Sequence, residues 1–209
     1  MRRRHLVIFA KAPRLGGVKS RLARGIGRLA ALAFYRRTLG TLLRRLAGDP
    51  RWQTTLAVTP DRAAHGGALW RRLGARAKLP RKAQGSGDLG QRMGRAFRDM
   101  PHGPVVIIGA DIPEISPGQV ARAFQSLGAC DVVLGPAPDG GYWLIGLRRG
   151  PKLRDLFAAV RWSSPTTRSD TLNNARKPGR APWGIRLLES LDDIDDIESY
   201  RRWRRSVGG

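Results

Sequence analysis

Asp111 follows the apolar run Val105-Val106-Ile107-Ile108-Gly109-Ala110 and precedes Ile112-Pro113. A short run rich in β-branched residues and closed by Gly and Pro reads as a buried parallel strand. A carboxylate released at the carboxyl end of such a strand lies where open α/β sheets bind ligands. It can hold a divalent cation against phosphate oxygens; a loop aspartate that caps the next helix fits the same position. Three other stretches carry residues of chemical use. Lys11 to Leu22 holds Gly16, Gly17, Lys19 and Arg21 between a strand pattern and a helix pattern. Glycines let a backbone approach a ligand, and Lys and Arg donate to phosphate oxygens. The spacing is neither a Walker A loop nor a dinucleotide fingerprint, and a solvated basic loop is the plain alternative.

Gln84-Gly85-Ser86-Gly87-Asp88 precedes a helix pattern. It reads as an anion or base-edge site at a helix N-terminus, or simply as a cap, with Asp88 and Gln91 forming a capping box. Gly135 to Gly146 contains Asp139-Gly140-Gly141-Tyr142-Trp143 between two strand patterns. That piece suits a hairpin turn, or a shaped loop with an aromatic wall for a sugar or other polyol acceptor. Asp192, Asp193, Asp195 and Asp196 crowd five positions before the last helix, as a helix-capping cluster or as a further metal ligand. His5, His65 and His102 are scattered and show no zinc spacing.

Alternating strand and helix patterns position these residues. Strands are expected at 5–10, 54–59, 105–108, 131–134, 142–147 and near 185–188. Leu29, Leu32, Leu39, Leu42, Leu43 and Leu46 mark one face of a long helix. A weaker helix spans about 63–73, and another, capped by Asp88, would bury Leu89, Met93, Ala96 and Phe97. Ser116-Pro117 starts the next. Beyond Pro151 the pattern loosens into a short helix, a Ser/Thr stretch and a strand, and a final helix turns Tyr200 and Trp203 inward. Alternation of this kind implies a layered α/β sheet in one domain, 1–209.

The 209 residues include 39 Lys and Arg against 16 Asp and Glu, a formal net charge of +23 that attracts polyanions without specificity. No nucleic-acid motif accompanies the charge, so specific nucleic-acid binding is not expected. Cys130 is the single cysteine and rules out an internal disulfide. The apolar stretch after Met1-Arg2-Arg3-Arg4 is too short for a signal peptide, and no segment reaches membrane-spanning length. The expectation is a cytoplasmic protein with no membrane partner.

Taken together, Lys11–Leu22, Gln84–Met93, Gly109–Pro113 and Asp131–Leu147 resemble a bacterial family of glycosyltransferase-A-fold proteins of unknown function, the radical-SAM/selenodomain-associated transferase type. Arg161-Trp162-Ser163-Ser164 and Asp193-Ile194-Asp195 match more loosely. Lys19-Ser20-Arg21-Leu22 also looks like the corresponding loop of phospholactate guanylyltransferases, and molybdenum-cofactor guanylyltransferases share the layout. The resemblance implies a three-layer α/β/α, Rossmann-like nucleotide-diphospho-sugar transferase fold with a mostly parallel sheet. It implies a nucleotide or nucleotide-sugar donor, a small-molecule acceptor, and Mg2+ or Mn2+. By carry-over, Lys11, Lys19 and Arg21 meet donor phosphates, with Gly16, Gly17, Gln84 and Asp88 on the donor side. Asp111 holds the metal and, with Asp139, forms the catalytic pair, while Gly140, Gly141 and Tyr142 shape the acceptor side. Ala110 and Ile112 replace the polar neighbours usual in the family, and Glu114 is the nearest further carboxylate in sequence. The implied activity is glycosyl transfer from a nucleotide sugar, with nucleotidyl transfer and pyrophosphate release as the alternative.

Overall fold

Seven strands form one sheet in the order β3-β2-β1-β4-β6-β5-β7. In chain order they are β1 (His5–Lys11), β2 (Gln53–Thr59), β3 (Arg81–Ala83), β4 (Gly103–Gly109), β5 (Val132–Pro136), β6 (Tyr142–Arg149) and β7 (Ile185–Leu187). The computed structural model describes residues 3–75, 78–150, 155–176 and 183–207. Only β6 runs antiparallel to its neighbours, β4 and β5; the parallel pairs are β1 with β2 and β4, β2 with β3, and β5 with β7. The strand order reverses between β1 and β4, which opens a crevice at their carboxyl ends.

Both faces of the sheet are buried, as parallel sheets require. Leu6, Ile8 and Ala10 of β1 and Val106 and Ile108 of β4 pack on one side. They meet α2 (Arg28–Leu46), α3 (Gly67–Arg72) and α5 (Pro117–Ser126). Val7, Val105 and Ile107 face the other side, against Met93 and Phe97 of α4 (Leu89–Asp99) and Ala175 of α6 (Thr167–Ala175). The period-two alternation of each strand therefore feeds two cores, giving the α/β/α layering expected from the sequence. A third cluster joins Leu22 of α1 (Ser20–Ile26), Phe34 of α2 and Ile194 to Tyr200 and Trp203 of α7 (Ile197–Val207). Phe34 meets both aromatic rings edge-on, at 5.4 and 5.3 Å between centroids.

Local signals set the helix starts. Asp88 accepts from the Gln91 amide while the Gln91 side chain accepts from the Asp88 amide, a complete capping box. Ser116 and Gln119 repeat the arrangement on α5 with Pro117 in the first turn. Several expectations are corrected. Leu29 is 74% exposed and Leu89 36%, so neither belongs to a buried helix face. The region 63–73 divides into a 3-10 turn, Asp61–Ala64, and the short α3. The short helix expected after Pro151 lies instead within the Ser/Thr stretch, as α6, and Pro151 itself falls outside the described residues. β3 was not foreseen: Arg81, Lys82 and Ala83, largely exposed at a sheet edge, show no apolar pattern. Among the described residues, no helix is long and apolar enough to cross a membrane.

Candidate functional site

The loop after β1 begins on a closed turn. The Lys11 amide donates to the Tyr35 hydroxyl at 2.9 Å, and that hydroxyl donates to the Lys11 carbonyl at 3.1 Å. The loop ends at Lys19, which precedes α1 with φ 50 and ψ 47. Left-handed backbone is costly for a side chain with a Cβ. Of the three non-glycine residues with positive φ among the described residues, Lys19 and Ser163 both line the same cleft.

That cleft, of about 480 Å³, opens over the carboxyl ends of β1 and β4. Four basic side chains line it, Lys11, Lys19, Arg21 and Arg92, against four acidic ones, Asp111, Asp139, Asp193 and Asp195. The cleft is thus near balance although the chain carries +23. Phe9, Leu89, Met93, Ile107, Tyr142 and Trp162 supply an apolar wall.

The Lys19 ammonium is the centre of the polar part. Its Nζ donates to Asp111 Oδ2 at 3.0 Å and to Asp195 Oδ1 at 2.5 Å. The lysine side chain is 4% exposed, whereas the two carboxylates keep 37% and 43% exposure. Burial works against the charge, but Asp111 and Asp195 outweigh it and hold the amine's pKa above its ordinary value. Gly109 gives Asp111 room, because a Cβ there would press on its carboxylate at 2.8 Å. The carboxyl of Asp193 is pushed up to about 7, first by burial and then by Asp195, Asp111 and Asp139, with Lys19 opposing.

Gln84 is buried at the end of β3. Its amide nitrogen donates to the Ala57 carbonyl at 2.9 Å, and its oxygen accepts from Arg92 at 2.9 Å. Asp139 Oδ1 accepts from the Gly141 amide at 2.8 Å. Gly140 is left-handed at φ 87, and a Cβ there would overlap the Pro165 backbone. Trp143 is buried, and its indole donates to the Glu189 carbonyl at 3.1 Å. Trp143 lines the cleft while its indole is tied inward by that bond. Tyr142 lines the cleft, but its hydroxyl is buried beside Thr171 without a hydrogen bond of ordinary geometry.

The fold brings together Lys11, Lys19, Arg21, Gln84, Asp111, Asp139, Gly141 and Tyr142. Gly16, Gly17, Asp88, Gly140 and Glu114 are not among the described residues lining the cleft. Gly16 and Gly17 shape the turn, where the Gly17 amide donates to the Arg14 carbonyl at 3.0 Å. The acidic cluster divides between two tasks. Asp196 accepts from the Ser199 amide at 2.8 Å and caps α7, and Asp192 pairs with Arg202 at 2.7 Å. Asp193 and Asp195 face the cleft. The carboxylate that accompanies Asp111 is thus Asp195, not Glu114. Arg92 was not singled out although it lies within the Gln84–Met93 stretch, and Tyr35 has no motif around it.

Among the described residues, no group of three or more His, Cys, Asp and Glu is arranged to hold a metal ion. Two carboxylates, Asp111 and Asp195, do converge on one cationic position, which the Lys19 ammonium takes. Their hard oxygens suit Mg2+ or Mn2+.

A bacterial protein family described as "Uncharacterized protein conserved in bacteria (DUF2064)" matches residues 42–164. The match spans more than half of the 209 residues, and the chain belongs to this family. No curated protein matches the chain. A candidate nucleotide-diphospho-sugar transferase from Desulfovibrio desulfuricans G20 superposes with a TM-score of 0.86 at 30% identity, over 99% of this chain and 88% of that one. The 4-diphosphocytidyl-2C-methyl-D-erythritol synthase of Anaerococcus prevotii DSM 20548 gives 0.61 at 10% identity, covering 99% of each chain. A Mycobacterium tuberculosis H37Rv protein in complex with manganese gives 0.52 at 19%, covering 98% of this chain and all of that one. The latter two likenesses establish the fold alone. The 30% identical structure supports a nucleotide-using transferase.

Proposed function

We propose that this member of the family is a single-domain glycosyltransferase that takes a sugar from a nucleotide sugar and passes it to a small-molecule acceptor. The observation that carries the reading is the Lys19 ammonium clamped by Asp111 and Asp195 over the carboxyl ends of β1 and β4. A buried ammonium between two part-exposed carboxylates, at the switch point of a mostly parallel sheet, is equipment for holding a diphosphate. Lys11, Arg21 and Arg92 line the same cleft and are the further phosphate donors. Gln84 and Arg92, fixed by their mutual hydrogen bond, present a polar edge on the donor side. Asp139 and Gly141 border the acceptor side.

Asp111 and Asp195 are the residues that would hold Mg2+ or Mn2+, which when bound would offset the charge of the leaving diphosphate. In the transfer, an acceptor hydroxyl attacks the anomeric carbon, the bond to the nucleoside diphosphate breaks, and the hydroxyl proton passes to a carboxylate on the acceptor side, for which Asp139 is the candidate. Positioning supplies most of the rate, since no side chain needs to form a covalent bond. The 30% identical relative, a candidate nucleotide-diphospho-sugar transferase over nearly the whole chain, favours sugar transfer. Nucleotidyl transfer would use the same phosphate-binding groups but release pyrophosphate. The balanced charge of the cleft argues against a groove for a nucleic-acid backbone.

The test is a thermal-shift screen of nucleoside triphosphates and nucleotide sugars, each with and without Mn2+, followed by product analysis of the ligand that stabilises. A nucleotide sugar is expected to raise Tm by several degrees, more so with Mn2+, and Asp111→Asn is expected to remove the Mn2+ increment. Pyrophosphate release from a triphosphate would replace sugar transfer by the nucleotidyl reaction. No stabilisation by any nucleotide would refute both.

A further inference from the structure

The clamp on Lys19 has a consequence for the order in which ligands enter, and it rests on the transferase reading above. The Lys19 Nζ lies 3.0 Å from Asp111 and 2.5 Å from Asp195. A divalent cation held by the same two carboxylates would need the space that the ammonium fills. The two cations would then occupy nearly the same place, which both volume and charge repulsion forbid. We infer that Lys19 is a built-in, displaceable counter-ion: its ammonium holds the Asp111–Asp195 position until a divalent cation takes both carboxylates and a donor phosphate takes the ammonium.

The energetics follow from burial. With 4% of its side chain exposed, Lys19 cannot exchange its carboxylate partners for bulk water without moving. A buried charge stripped of its partners is strongly destabilising. Cation binding on its own therefore bears the cost of an orphaned ammonium. Cation binding together with a diphosphate does not, because the phosphate oxygens accept what the carboxylates release. The left-handed backbone at Lys19 fixes where the stem leaves the loop, so the exchange needs rotation of the flexible four-carbon stem alone. The lysine stays protonated throughout; only its partners change. Metal and donor phosphate are then coupled through Lys19, and each strengthens the other by the same factor. The device also keeps two carboxylates neutralised while the cleft awaits its donor.

The test uses Mn2+ alone, read by the electron paramagnetic resonance of free Mn2+, on wild type, Lys19→Gln, and Lys19→Gln combined with Asp111→Asn. Removing the ammonium is expected to tighten Mn2+ binding by about tenfold or more, and Asp111→Asn is expected to abolish the gain. A lysine remote from these carboxylates would produce no gain. Unchanged or weaker Mn2+ affinity in a folded Lys19→Gln protein would overturn the inference. A second measurement needs no variant. Acetylation of Lys19 in wild type, followed by mass spectrometry, is expected to be slow, to accelerate with saturating Mn2+, and to slow again when inorganic pyrophosphate is added. A rate indifferent to Mn2+ would overturn it equally. Nucleotide-induced melting shifts of wild type, measured in parallel, bear on the transferase reading alone.

Discussion

Replacing the buried-edge carboxyl of Asp193 by an amide should stabilise the protein at alkaline pH and leave it unchanged in acid. Burial and three neighbouring carboxylates, Asp195, Asp111 and Asp139, raise its pKa from 3.8 to about 7. The folded protein thus binds a proton at Asp193 that the unfolded chain, between those two values, does not. Stability contributed by that proton is fully present below about 4 and is lost as the pH rises through about 7. A difference of this size corresponds to roughly 4 kcal/mol for a fully shielded group. Asp193 is only partly buried, and solvent screening brings the expectation to about 1–2 kcal/mol. Asn is neutral at every pH and resembles the protonated carboxyl, so Asp193→Asn escapes the loss. For a chain of this length the gain is roughly 3–6 °C in Tm. The assay is thermal unfolding of both proteins with a chelator, at pH 4, 6 and 8. The Asn variant should match wild type at pH 4, draw ahead at pH 6 and lead fully at pH 8. A Tm difference that is the same at pH 4 and pH 8, or that shrinks as pH rises, would refute the picture of a carboxyl crowded by like charges. Comparing the two proteins at each pH cancels the titration of groups that do not interact with Asp193.

Two further expectations concern backbone and caps. Gly140→Ala should cost about 2–3 kcal/mol, because φ is 87 and the new methyl would overlap the Pro165 backbone. Gly16→Ala, at φ 74 with open space around it, should cost only about 1 kcal/mol; denaturant melts giving equal losses would contradict the assignment of the Pro165 contact. Asp88→Ala should cost about 1 kcal/mol by removing the capping box of α4 while leaving any nucleotide-induced melting shift intact. A diminished shift in that variant would restore Asp88 to the ligand side.

What the sequence disclosed, it disclosed through local signals. Strands β1, β2, β4 and β6 are apolar runs with clear ends, and the Asp88–Gln91 capping box spans only four residues. Asp111 could be singled out because it follows such a strand, and Lys19 because it lies in a basic, glycine-bearing stretch between a strand and a helix. Their contact could not, since the partners of Lys19 lie 92 and 176 residues away. Nor could the division of the Asp192–Asp196 cluster, which depends on where α7 docks. The helix α6 was hidden for a different reason. Its Thr and Asn residues have poor helix propensity, and its order rests on links such as the Arg161–Asp170 pair at 2.8 Å and the Thr171 hydroxyl on the Thr167 carbonyl at 2.9 Å. Alternation sends the side chains of Tyr142 and Trp143 to opposite faces of β6, although both residues line the cleft. Trp143 packs into one core and Tyr142 against the other.

The docking of α7 connects packing to chemistry. A Cβ on Gly25 would collide with the Ile197 side chain, so the absence of one allows α1 and the start of α7 to touch. Phe34 takes Tyr200 and Trp203 on its edges, which fixes the rest of α7 against α2. Asp196, capped onto Ser199, ties the incoming chain to that helix. Asp195 is the residue before it, and Asp195 is what closes the clamp on Lys19. The loop after β1 supplies the ammonium, the end of β4 one carboxylate, and the C-terminal helix determines the place of the other. An apolar contact on the flank of the molecule thereby sets the charge balance of the cleft. This explains why the far end of the chain, beyond the segment 42–164 that matches the family, belongs to the site as much as the central strand does.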